Sequence, residues 1–156
     1  MEEKQLAAAE NVYKTVCAML DSQGWRYEKH PEKKVVWLKL KLKNGLSSIM
    51  IVVEARTQTI TFYAPVDFPV KEEKCMDMVL ATVMANDGMV FGSFDYDMAG
   101  DEIRFRLTQS FRESQVEKEL IEHMLLITAS MVEKYVPRFL ALNTGIIDIE
   151  DFMAKE

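Results

Sequence analysis

Hydrophobic residues recur along the chain in two periods, and the switches between them mark out the elements. Leu6, Ala9, Tyr13, Val16 and Leu20 fall three and four apart, which puts them on one stripe of a helix that Gly24 closes. A short candidate strand at 25–29 follows. From Val35 to Lys43, and again from Leu46 to Glu54, the residues alternate as in pleated strands. Between these runs stands Asn44-Gly45, a dipeptide suited to positive φ at both positions, so a two-residue hairpin is expected to join them.

A third strand at 59–64 ends at Pro65, and Pro69 leads into a second helix over 70–85. In that helix Met76, Val79, Leu80 and Val83 share one side, and Asn86-Asp87-Gly88 ends it. Two more strands are expected at 89–96 and 102–108. Ser114 and Glu117 then have capping-box spacing, which predicts a long last helix from Gln115. Its expected core stripe is Val116, Leu120, Met124, Ile127, Met131 and Tyr135. Pro137 is expected to kink or end it, with 138–143 able to resume before Gly145, and 146–156 reads as a short docked or fraying helix.

In 156 residues without repeat, linker or low-complexity segment, this order predicts a single α+β domain over 1–156. Its sheet is expected to be antiparallel, of about five strands, with elements in the order α-β-β-β-α-β-β-α. In the strand at 46–54, Ile49, Ile51 and Val53 face one way while Met50 and Val52 face the other. A strand apolar on both sides needs cover on both. Met76 and Met78 diverge by about 200° around a helix and cannot both point at one core. Trp37, Met50, Val52, Met76 and Met78 are therefore the candidate protein-binding residues. A homodimer is expected, formed through the sheet or the second helix.

Composition adds exclusions. No apolar run approaches the roughly 20 residues of a membrane span. The start, Met-Glu-Glu-Lys, lacks the basic and apolar regions of a secretory signal, so a cytoplasmic protein is expected. Nineteen basic against 25 acidic residues give a net charge of −6, which disfavours nucleic acid as a partner. Lys39, Lys41 and Lys43 alternate with leucines and read as the wet face of a strand. Cys17 and Cys75 fall on two predicted helices and suit reduced core thiols. Eleven methionines suit both irregular cores and adaptable surfaces.

Candidate chemistry is sparse. Asp95, Asp97 and Gly100 occupy positions one, three and six of a calcium loop, but Ala99 and Arg106 stand at five and twelve, where ligands are needed. Ile103, Phe105 and Leu107 alternate with Arg104 and Arg106, so the acidic stretch reads as a hairpin corner. His30 and His123 have no Cys or His at ligand spacing. There is no Gly-rich phosphate loop, nucleophile elbow or zinc helix. No catalytic residue, metal or cofactor is expected, and the chain reads as a non-enzymatic protein-binding module. The alternative is a small-ligand sensor or cryptic enzyme with a pocket between sheet and long helix.

Phe91-Gly92-Ser93-Phe94-Asp95-Tyr96-Asp97, with Gly100-Asp101-Glu102-Ile103-Arg104-Phe105-Arg106, resembles the G-x-F … G-x-I-x-F/Y-R hairpin of the YbjN-like family. Tyr135-Val136-Pro137 and Gly145 resemble that family's later aromatic-x-Pro step and glycine. The resemblance spans roughly 5–145. It implies a fold similar to type III secretion chaperones, which bind extended segments of partner proteins and usually dimerise. It also implies a regulatory or chaperone-like role in a bacterium, with matched residues that are structural in kind. The chain is less acidic than many dedicated secretion chaperones, a departure that leaves its partner open.

Overall fold

The computed structural model describes residues 2–43 and 45–154. Helix α1 (Glu3–Ser22) leads into four strands, β1 (Tyr27–His30), β2 (Val35–Leu42), β3 (Gly45–Glu54) and β4 (Thr59–Pro65). A 3-10 turn over Glu72–Lys74 enters α2 (Cys75–Asn86), followed by β5 (Ser93–Asp97), β6 (Glu102–Ser110), α3 (Lys118–Asn143) and the short α4 (Ile149–Met153). The six strands form one sheet in the order β1-β2-β3-β4-β6-β5. Every pairing is antiparallel. The sheet exceeds the expected five strands because β1 joins its edge.

The register follows from the alternation. Leu38 of β2, Ile49, Ile51 and Val53 of β3, Ile60 and Phe62 of β4 and Phe105 of β6 all enter one buried cluster. Side chains from all four helices fill the other half of that cluster, so the helices cover a single face of the sheet. The β2–β3 register sets Leu42 opposite Gly45, so the connection runs through residues 43 and 44. Gly45 has the expected positive φ, at 122°, but it is already the first residue of the strand; the expectation for Asn44 lies outside the described residues.

Three expectations about helices change. On α2 the buried residues are Met78, Ala81, Thr82 and Ala85. Met76, Leu80 and Val83 turn outward instead, and the small side chains let the helix approach its neighbours closely. The long helix begins at Lys118 and not at Gln115, and its N-cap Glu117 makes no side-chain cap. Phe111 and Val116 are both buried, and Ser114 donates its amide to the Phe111 carbonyl in a turn, so packing overrides the capping-box spacing. The fully buried positions of α3 include Ile121, Leu125, Thr128, Val132, Phe139 and Leu142 as well as Met124. Leu120, Ile127, Met131 and Tyr135 only flank the core. Pro137 lies inside a helix that continues to Asn143 and is itself exposed, so the position without an amide falls on the solvent side of the helix.

Two asparagines tie α2 in place. At its C-terminal end, Asn86 accepts from the Phe94 amide (2.7 Å) and donates to the Phe94 carbonyl (2.9 Å), which closes the outer edge of β5. At its N-terminal approach, Asn143 of α3, which is 3 % exposed, accepts from the Lys71 amide and donates to the Pro69 carbonyl, both at 3.0 Å. Among the described residues, no helix is long and apolar enough to cross a membrane.

Gly92 sits at the other close approach. Its φ is +73°, and a Cβ there would fall 2.5 Å from Cζ of Phe105 and 2.7 Å from the Arg106 carbonyl oxygen. Gly45 has open space around it. Gly45→Val is therefore expected to cost on the order of 1 kcal/mol through backbone strain alone. Gly92→Ala is expected to cost on the order of 3 kcal/mol, because overlap adds to strain. Urea midpoints of the two variants check the ordering, and equal shifts would contradict it. Asn86→Ala is expected to lose about 2 kcal/mol by the same measurement, since it strands both backbone groups of Phe94. An unshifted midpoint would mean that the clip adds nothing.

Candidate protein-binding face

The uncovered side of the sheet is built by the polar half of the alternation, and part of that half is not polar. Register sets Trp37 beside Met50, Met50 beside Tyr63, and Tyr63 beside Arg106. Glu28 and Ser93 extend this row to the two sheet edges. One step along the strands, Val35, Val52, Thr61 and Thr108 form a second row, closed by a 3.0 Å hydrogen bond between the two threonine hydroxyls. Trp37 is 40 % exposed; Met50, Val52, Val35 and Tyr63 are half-buried by one another.

Charge frames this apolar strip. The Arg106 Nε donates to Asp95 at 2.6 Å, and the Ser93 hydroxyl donates to the same carboxylate at 3.0 Å. Burial pushes the Asp95 carboxyl up, but the Arg106 and Ser93 hydrogen bonds outweigh it and hold the group below its ordinary range. The Arg104 guanidinium lies over the Tyr63 ring, 4.7 Å from its centroid.

The acidic stretch that looked like a metal loop is a hairpin corner, with Asp97 paired to Glu102. Asp97 accepts from the Ala99 amide at 3.0 Å, and Asp101 accepts from the Tyr96 hydroxyl at 3.0 Å. Burial, reinforced by hydrogen bonds to Cys75 and Asp101, pushes the Tyr96 hydroxyl upward, so it remains a donor. The motif residues Phe94 and Phe105 pack edge to face at 5.3 Å, and Phe94 meets Tyr135 and Phe139 of α3 at 5.3 and 5.1 Å. This cluster and the Gly92 contact explain in packing terms the residue types of that hairpin.

The structure brings Trp37, Met50 and Val52 together on this face and separates the other two candidates from it. Met76 is 78 % exposed on the outward side of α2, where Leu80 and Val83 join it. Met78 is fully buried, so it is a core residue and no part of a surface. Tyr63, Val35 and Arg104 also belong to the face. The alternation of 59–64 carried the signal for Tyr63, since Thr59, Thr61 and Tyr63 must share a side. The space between sheet and long helix, where the alternative reading puts a pocket, is occupied by Phe62, Phe105, Phe139 and Leu142. Two depressions lie elsewhere, between α1 and the entry to α3, lined in part by Lys14, Thr15, Glu117 and Lys118.

No curated protein sequence matches the chain at a significant level. Among solved structures, the fold is similar to that of YbjN from E. coli, described as "a putative transcription regulator", with a TM-score of 0.63 and 14 % identity, covering 86 % of this chain and 92 % of that one. It is also similar to a chain of the ExsC-ExsE complex, with a TM-score of 0.55 and 13 % identity, covering 81 % of this chain and 93 % of that one. At these identities the likeness is one of fold. A family model described as "Putative bacterial sensory transduction regulator" matches residues 13–141, which hold all six strands, α2, the second half of α1 and most of α3: the chain belongs to the YbjN family.

Proposed function

We propose that the protein is a non-enzymatic, cytoplasmic protein-binding module, chaperone-like or regulatory, that holds an extended segment of a partner on the uncovered sheet face. The observation that carries this reading is the Trp37–Met50–Tyr63 row, an apolar strip that no element among the described residues covers. A flat apolar strip between polar borders suits an extended chain better than a small molecule, which needs a concave site. The fold is shared with one half of a two-protein complex, ExsC-ExsE, which supports the same reading. The protein pairs as a homodimer through α2, whose Met76, Leu80 and Val83 face outward at 78, 45 and 61 % exposure.

Two measurements test these claims. Immobilised peptides of about ten residues, long enough to cross the sheet, are expected to retain the protein and to release its Trp37→Ser/Met50→Ser variant, with thermal stability little changed. Equal retention of both proteins, or retention of neither, refutes the sheet face as the binding surface. Sedimentation equilibrium at micromolar concentration is expected to give twice the 18.0 kDa chain mass, and Leu80→Glu is expected to return the chain mass itself. A single 18.0 kDa species for the unsubstituted chain would overturn the dimer.

A further inference from the structure

The chain as a whole is acidic, at −6, yet its uncovered face carries Lys39, Lys41, Arg104 and Arg106. Arg106 is engaged by Asp95. The Arg104 guanidinium lies over the Tyr63 ring; Asp95, its register partner, bonds Arg106 instead, and among the described residues no carboxylate lies within ion-pair distance of Arg104, Lys39 or Lys41. The remaining carboxylates of the face, Glu28, Glu54, Asp97 and Glu102, stand at strand ends or at the sheet edge.

The register places these cations with some regularity. Lys39 follows Trp37 by two residues on β2, and Arg104 precedes Arg106 by two on β6. Because three antiparallel pairings separate β2 from β6, the two strands run in opposite directions, so the step forward from Trp37 to Lys39 and the step back from Arg106 to Arg104 lead to the same side of the apolar row. The two cations are three strand spacings apart, about 14 Å. An extended chain covers that distance in about four residues.

We infer that the face selects an acidic extended protein segment, one with two carboxylates about four residues apart and apolar side chains two residues from each, so that all share one side of the chain. Arg104 and Lys39 receive the carboxylates while the Trp37–Met50–Tyr63 row receives the apolar side chains. Arg104 is the more selective of the pair, because the Tyr63 ring fixes its guanidinium and reduces the freedom lost on pairing. Lysines on outer strands also guard sheets against edge-to-edge association, but that role asks nothing of Arg104, which lies on an interior strand. This inference rests on the sheet face being the binding surface, and the peptide comparison below separates the two claims.

The probe is a fluorescein-labelled peptide Leu-Ser-Glu-Ser-Leu-Ser-Glu-Ser-Leu, in which Glu and Leu share one side of the extended chain, compared by anisotropy with versions carrying Gln or Lys in place of both Glu. The Glu peptide is expected to bind at least about fivefold more tightly than the Gln peptide, with the Lys peptide weakest, and to weaken as sodium chloride rises from about 50 to about 500 mM. Arg104→Gln is expected to remove most of the Glu-over-Gln preference, and Arg104→Lys to restore part of it. Equal binding of the Glu and Gln peptides, lost in Trp37→Ser, overturns the charge selection and leaves the sheet face standing as a binding surface. Absence of binding by all three peptides, or binding that Trp37→Ser does not weaken, overturns both.

Discussion

The structure depends on one asymmetry: a six-stranded sheet whose helices all lie on the same side. Each strand alternates, so burying one set of side chains under α1 and α3 necessarily turns the other set to solvent. The buried set is strongly apolar, and Ile49, Ile60, Phe62, Ile103 and Phe105 have no exposure at all. The opposite set would be expected to be uniformly polar in a sheet with one wet face. It is polar toward the rims, at Glu54, Thr59 and Ser110, and apolar through the middle. That central strip is a consequence of residue choice at β2, β3 and β4 and owes nothing to helix packing, so it could have been polar without disturbing the core.

Helix α2 shows a second case of residue choice, one that hydrogen bonding makes irreversible. Its apolar side chains go nearly all round, which leaves the hydrophobic effect with little preference for one orientation. The choice falls to groups that cannot be left unpaired. Asn86 must meet Phe94 and Asn143 must meet residues 69–71, and only one rotation of α2 satisfies the first while the second holds its entry. Small side chains at Ala81 and Ala85 then define the contact, and the larger Leu80 and Val83 are left outside.

The same distinction explains what could be read from the chain and what could not. Strands were legible because a period of two leaves no freedom: once 35–43 and 46–54 are strands, the opposite faces of Ile51 and Met50 follow. The corner at 97–102 was legible because calcium needs ligands that Ala99 and Arg106 cannot supply. Helix faces were less so. On α3, stripes through Leu120 and through Ile121 are both apolar, and contact with α1 on one side and α2 on the other buries a broad arc that no single stripe describes. The start of α3 was misread because Ser114 and Glu117 have local capping spacing, whereas Phe111 and Val116 bury more by remaining in a loop. Of the candidate face, alternation marks Trp37, Met50, Val52 and Tyr63, and Arg104 needed the strand order, since β4 pairs with β6 across a crossover that no local pattern announces.

Polar side chains inside the fold serve its backbone. Asn86 and Asn143 bind main-chain groups, and Thr128 donates to the Met124 carbonyl. Catalysis asks for the opposite arrangement, in which several side chains converge on a shared space that substrate can fill. On the uncovered face the polar groups are instead spread along strands at the spacing of the pleat, beside a strip of Trp, Met and Tyr. Such an arrangement suits recognition distributed over a length of chain, with aromatic and Met contacts for affinity and guanidinium groups for discrimination. Binding assigned to this face therefore leaves the core and the α2 clips undisturbed, which is why substitutions at Trp37 or Arg104 can separate recognition from folding while those at Gly92 or Asn86 cannot.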